Sequence, residues 1–294
     1  MTRFVALGDS ITLGIGDPVE PGSPEARAGR DGAGELDGRA WRGWATLLAD
    51  GLREPGRSEP GRGEPALHIL AVSGACAADV RRDQLPRALA LRPDVASVVV
   101  GVNDTLRANF DPALAARAAA DTVAALRDCG AVVLTMRLPD PGRMLGLPGI
   151  LARPLARRAQ QLNAMMDVVA QRYGTLHFDA AGDAETYDPR MWAVDRLHPS
   201  ERGHRLIARR FHALLAAAGV PVGPAPDPEP VNPPPTRRAE LAWLATKGTG
   251  WVVRRSRDLV PNLVGLALQE WRSTPLTAPT PLGSQGPLAD REVA

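Results

Sequence analysis

The chain has 294 residues, enough to bury a sizeable core as one large domain or two small ones, and 44% of them are apolar, an ordinary fraction for a globular protein. A formal net charge of +2 excludes a strong general attraction to nucleic acid or anionic lipid, and among 35 basic residues only Lys247 is a lysine. Two cysteines, Cys76 and Cys129, are too few for a disulfide framework and fall in no zinc-binding spacing, so free thiols in a reducing compartment are expected.

The N-terminus enters a strand pattern directly, without a charged segment and apolar signal core, and no run of about 18 apolar residues occurs. The expected location is cytoplasmic. The first strand, RFVALG at 3–8, stops abruptly at Gly8-Asp9-Ser10. Residues 17–40 are rich in Gly, Pro and charge and too long for an ordinary strand-to-helix connection. They read equally as an active-site loop or a disordered insertion. A solvated loop over 53–65 leads to a second strand at 66–72 (ALHILAV), followed by Ser73-Gly74. The third, VASVVVG at 95–101, runs into Val102-Asn103-Asp104.

A helix is expected from Asp111, its N-cap, with Pro112 at the first helical position, to a stop at Gly130. Strand four follows at 131–136 (AVVLTM). The apolar stretch 137–154 then either lines an acyl-chain pocket or packs on the sheet. Residues 154–173 place Leu155, Ala159, Leu162, Met166, Val169 and Tyr173 on one helical face. A fifth strand at 175–179 (TLHFD) precedes Asp195-Arg196-Leu197-His198 and a last helix over 200–218 that begins at Ser200.

Continuous apolar runs of this length suit strands buried on both faces of a parallel sheet. Their alternation with helices implies right-handed crossovers and a doubly wound three-layer sandwich, in which ligands sit beyond the carboxyl ends of the strands. Ser10 lies at such an end. Residues 1–220 make up this domain. Eight prolines within 221–235 then favour an extended linker over 221–236. Helical texture resumes over 237–272 with Trp243, Trp251 and Trp271, and a disordered tail is expected over 273–294. The 237–272 extension reads either as a helical hairpin packed on the domain or as an appendage that touches a membrane surface or a partner protein.

Four strand-end clusters carry the possible chemistry. A serine hydroxyl needs a base to take its proton, and histidine titrates in the right range. His198 has Asp195 three residues before it, close enough to fix its tautomer. Backbone N–H groups of Ser10 and Gly74, with the Asn103 side-chain amide, would supply three donors for an oxyanion. Asp9 and Asp104 read as helix caps with a loop-ordering role. Ser73 reads as a turn donor and Cys76 as a small buried cysteine. His68 and His177 read as satisfied core histidines, and His204 and His212 as surface residues on the last helix.

In this order the clusters resemble the SGNH (GDSL-type) hydrolase superfamily, whose Ser, Gly, Asn and His are matched by Ser10, Gly74, Asn103 and His198. The match extends to GVND at 101–104 and DRLH at 195–198 and covers residues 3–218. Two departures are GDSI in place of GDSL, and Ile69 where an Asn is common. The resemblance implies a flavodoxin-like αβα sandwich with five parallel strands in the order 2-1-3-4-5. It also implies serine hydrolysis of small-molecule esters, thioesters or acetylated sugars without metal or organic cofactor. Ser10 would then be the nucleophile, His198 the base and later acid, and Asp195 its orienter, with Ser10, Gly74 and Asn103 as the oxyanion hole. A different reading, a flavodoxin-like binding module without hydrolase activity, would have Ser10 and Thr12 hold a phosphate or nucleotide at a helix N-terminus.

Overall fold

The computed structural model describes residues 2–19, 34–36, 39–53, 65–107 and 109–231, with position 265 besides. Its strands are β1 (Arg3–Gly8), β2 (Gly34–Leu36), β3 (Arg39–Trp41), β4 (Ala66–Ile69), β5 (Val95–Val99), β6 (Val132–Met136) and β7 (Leu176–Phe178). Five of them form one parallel sheet in the order β4-β1-β5-β6-β7, which is 2-1-3-4-5 when those five are numbered along the chain. An antiparallel hairpin of β2 and β3 is added within the stretch expected to be a loop. Residues 20–33, 37–38 and 54–64 lie outside the described residues, as do the extension expected over 237–272, position 265 aside, and the tail beyond it.

The helices are α1 (Ser10–Leu13), α2 (Gly43–Gly51), α3 (Ala77–Asp79), α4 (Leu85–Leu91), α5 (Val102–Leu106), α6 (Pro112–Asp128), α7 (Pro141–Met144), α8 (Gly149–Tyr173) and α9 (Glu201–Ala217). One face of the sheet carries α3, α4, α6 and α8, and the other carries α2 and α9. Every residue of β5 is buried, as its unbroken VASVV requires in a sheet covered on both sides. On the second face Phe4, Trp44, Phe211 and Phe178 form a chain of ring contacts, with centroids 6.2, 5.1 and 6.0 Å apart.

Asp111 caps its helix as expected by accepting from Leu114 N, and Ser200, the expected first residue of the last helix, is instead its cap and accepts from Gly203 N. Helix α8 starts five residues before the expected position and contains Pro154, whose missing N–H leaves only the Ile150 carbonyl without its helical donor. The second strand is shorter than 66–72, yet Leu70 N and Val72 N still donate to Ala6 O and Gly8 O along β1. Between α3 and α4 the chain makes a π turn, Val80–Gln84, in a helical stretch that the sequence pattern does not announce.

The register of the central pair sets up the site. Gly8 is level with Val99, so the turns leaving β1 and β5 stand side by side. After α9 the chain reverses at Gly219 and residues 220–231, the described part of the Pro-rich stretch, run back along that helix. Gly223 N donates to Gly51 O (2.8 Å), His212 Nε2 meets Gly223 O (2.9 Å), and Arg205 donates to Asp227 O (2.9 Å). Val231 N reaches Glu201 Oε1 (2.6 Å) at the first turn of α9. Among the described residues no helix is long and apolar enough to cross a membrane.

Candidate active site

β1 ends at Gly8, whose φ of +153° and contact with the Val99 carbonyl leave no room for a β-carbon. Its peptide is gripped by a side chain: Gly8 N–H donates to Gln84 Oε1 and Gln84 Nε2 donates to Gly8 O, both at 2.9 Å. The π turn before α4 brings this buried amide inward. Asp9 follows, caps α1 by accepting from Ile11 N (3.0 Å), and delivers Ser10 as the first helical residue.

Ser10 Oγ lies 2.9 Å from His198 Nε2, and His198 Nδ1 lies 2.6 Å from Asp195 Oδ2. Ionised Asp195 can only accept, so Nδ1 carries the proton and Nε2 is left to accept from the serine hydroxyl. The other Asp195 oxygen, Oδ1, accepts from the N–H groups of Leu197 and His198, both at 3.0 Å. Arg196 curls the loop around that oxygen at φ +51°, a left-handed position unusual for a residue other than glycine. Burial alone would raise the Asp195 pKa, but the His198 contact and the two N–H bonds hold it below the ordinary value. Loop and helix are braced together as Ala193 N donates to His198 O and Ser200 N to Met191 O, both at 2.8 Å.

Asn103 lies in α5, buried, and its Nδ2 donates to Asp9 Oδ2 and to Ala75 O, each at 3.1 Å. Both amide hydrogens are thus engaged, and an oxyanion here would have to share one of them. Gly74 sits one residue from Ala75, in the turn that Ala75 N closes on Val72 O (3.1 Å). Its φ of +82° accounts for the glycine; a β-carbon there would meet nothing within 4 Å.

Asp104 binds Ala77 N with both oxygens (3.3 and 3.1 Å), tying the start of α3 to α5. Burial raises both Asp9 and Asp104 to about 6. For Asp9 the bond from Ile11 and the charge of His198 pull the other way, while Asp104 adds to the rise.

The expected constellation thus divides into parts. Ser10, His198 and Asp195 form one hydrogen-bonded chain, Asp9 joins Asn103, and Asp104 joins the segment after Gly74. Thr12, the second phosphate ligand of the binding-module reading, is fully buried beneath Gly8. His204 and His212 are buried, contrary to the surface positions expected. His204 bonds Trp44 N (3.2 Å) and Ile15 O (3.1 Å), and His212 is covered by the returning 220–231 segment. His177 is half-buried against Thr135 Oγ1 (2.7 Å), Cys76 is buried, and Ser73 is exposed in its turn. Gln84, Asp17, Arg42 and Glu201 are site-supporting residues that no local pattern announces.

Beside the dyad opens an apolar recess with about 380 Å³ of free space, part of it open to solvent. Ile11, next to Ser10, and Pro199, next to His198, line it with Met136, Phe178, Trp192 and Leu206. The 137–154 stretch is divided: Leu138 and Met144 are buried, Leu138 exchanges two 2.8 Å bonds with Asn163, Ile150 is exposed, and of its described side chains Pro139 alone lines the recess.

A family model described as GDSL-like lipase/acylhydrolase matches residues 6–206. Among solved structures, a lipase/acylhydrolase from Enterococcus faecalis is 18% identical, with a TM-score of 0.53, 79% of this chain covered and 100% of that one. An acetylxylan esterase from Geobacillus stearothermophilus is 19% identical, with a TM-score of 0.51 and coverage of 73% and 94%. An α/β hydrolase from the metagenome of Lake Arreo, Spain, is 23% identical, with a TM-score of 0.50 and coverage of 74% and 95%. At these identities the likeness is one of fold. No functionally curated protein matches the sequence.

Proposed function

Because the chain belongs to the GDSL-like lipase/acylhydrolase family, we propose that it is a serine esterase working through an acyl-enzyme on Ser10. The observation that carries this reading is the chain of 2.9 and 2.6 Å contacts from Ser10 through His198 to Asp195. As Ser10 Oγ bonds to the ester carbonyl carbon, its proton passes to His198 Nε2 and the carbonyl π electrons move onto oxygen. The Ser10 and Gly74 N–H groups and Asn103 Nδ2 stabilise that oxyanion. Collapse breaks the bond to the alcohol oxygen, which takes the proton from Nε2. Water, deprotonated by the same nitrogen, then releases the acid and restores Ser10.

Asp195 holds the imidazole in the required tautomer throughout and stabilises it when doubly protonated. The apolar recess between Ile11 and Pro199 supports an ester with a hydrocarbon group, acetyl or a short-to-medium acyl chain, over a highly charged substrate.

Treatment with a fluorophosphonate probe, followed by mass spectrometric location of the adduct, tests the assignment. The expected adduct is on Ser10; modification elsewhere, or none, overturns it. A chain-length series of p-nitrophenyl esters then separates acetyl from longer acyl preference.

A further inference from the structure

Seven residues beyond Ser10, Asp17 is fully buried, and its carboxylate is held in a fork by Arg42: Nε to Oδ2 and one terminal nitrogen to Oδ1, both 3.1 Å. The same terminal nitrogen donates to Glu201 Oε1 at 2.7 Å. Glu201 is the first residue of α9 and stands three positions after His198. One nearly buried guanidinium therefore touches both the segment leaving the serine and the segment leaving the histidine.

Further contacts close the same joint. Gly43 N donates to Asp17 Oδ2 (3.2 Å), and Arg42 N donates to Asp17 O (3.0 Å). His204, one turn into α9, bonds Ile15 O and Trp44 N. Gly16 lies so close to the Pro199 carbonyl that a β-carbon would stand 1.9 Å from it. Glu201 Oε1 also accepts from Arg205 Nε (3.0 Å) and Val231 N (2.6 Å).

Resting on the serine-esterase reading, we propose that Arg42 is a positioning residue that aligns Ser10 with His198 by tying Asp17 to Glu201. His198 and Asp195 belong to one short loop that is complete in itself, whereas Ser10 and His198 are 188 residues apart. Nothing local holds that second pair in register. Two opposed pairs of charge, Asp17 and Glu201 against Arg42 and Arg205, suit a registry role, because a buried ion pair adds little net stability and fixing register is its best-attested use. The fork makes lysine a poor replacement, since a single ammonium cannot hold Asp17 by two parallel bonds and reach Glu201 as well.

The test compares wild type with Arg42→Met and Arg42→Lys on p-nitrophenyl acetate, each rate divided by the Ser10 that a fluorophosphonate labels at completion. Displacing reacting groups by about 1 Å costs on the order of 100-fold. We expect a fall approaching that size in kcat per labelled Ser10 for Arg42→Met and a smaller one for Arg42→Lys. KM and the acid limb of kcat/KM stay in place, because the His198–Asp195 pair is untouched. Full kcat per labelled Ser10 in both variants, however much their Tm drops, would reduce the joint to scaffolding, and a moved acid limb would also overturn the proposal. Should Arg42→Met not fold, Arg42→Lys and the isosteric Glu201→Gln carry the comparison. Absence of label from wild-type Ser10 would strike the esterase reading itself.

Discussion

The His198 imidazole lies 2.9 Å from the Ser10 hydroxyl through Nε2 while Nδ1 is committed to Asp195 at 2.6 Å. Only one tautomer satisfies both contacts, and it is the one that leaves Nε2 free to take a proton. Ser10→Ala removes the attacking oxygen without removing a core contact. Activity on p-nitrophenyl acetate should fall by about 10⁶-fold, with urea stability little changed. Asp195→Asn presents an amide that can stabilise the wrong tautomer, and initial rates should drop about 10⁴-fold.

Asn103→Ala separates the oxyanion function from the dyad. Because Nδ2 already serves Asp9 and Ala75, its removal also takes the donor from Asp9 Oδ2, while Oδ1 keeps Ile11 N. A loss of about 10²–10³ in kcat with KM nearly constant is the expected result, read from steady-state kinetics. A change confined to KM would mean that Asn103 binds the ground state only.

Asp104 supplies a pH test whose sign follows from burial. Its folded pKa, about 6, lies above the ordinary 3.8, so the folded state prefers the protonated acid. That contribution is whole below about pH 3.8 and vanishes as pH rises through 6, leaving an ionised buried group that costs about 3 kcal/mol. Asp104→Asn keeps an acceptor for Ala77 N and removes the charge. Urea titrations should find the variant equal to wild type near pH 4 and more stable at pH 8. The Asp104 charge also adds to the rise of the Asp9 pKa, so the Asp9 transition should shift down in the variant. A variant less stable than wild type at pH 8 would contradict this assignment.

Gln84→Leu deletes both bonds to the Gly8 peptide at nearly constant volume. Leaving that buried peptide half-satisfied costs about 1–3 kcal/mol, and a slower reaction of Ser10 with fluorophosphonate should accompany it. Unchanged stability in denaturant titration would show that water or another acceptor takes over the Gly8 N–H.

What could be read in the sequence was local. The strand ends beside Ser10 and Asn103 are marked by an apolar run followed by a turn, and Asp195 lies three residues before His198, its partner. Strand order followed from the resemblance once those ends were recognised. Gln84 escapes such reading because a π turn, not an amphipathic pattern, aims it at Gly8. Arg42 escapes because its two carboxylates are 25 residues upstream and 159 downstream. His204 and His212 look like surface positions from their polarity; backbone partners supplied by distant segments bury them.

The hydrogen bond between Val231 and Glu201 has an architectural outcome. Helix α9 begins three positions after His198, and the returning segment retraces it, so residue 231 comes back to the helix's first turn and not to its far end. Cutting the chain before residue 220 would therefore strip a donor from Glu201 and uncover His212, so the smallest intact unit extends past the last helix.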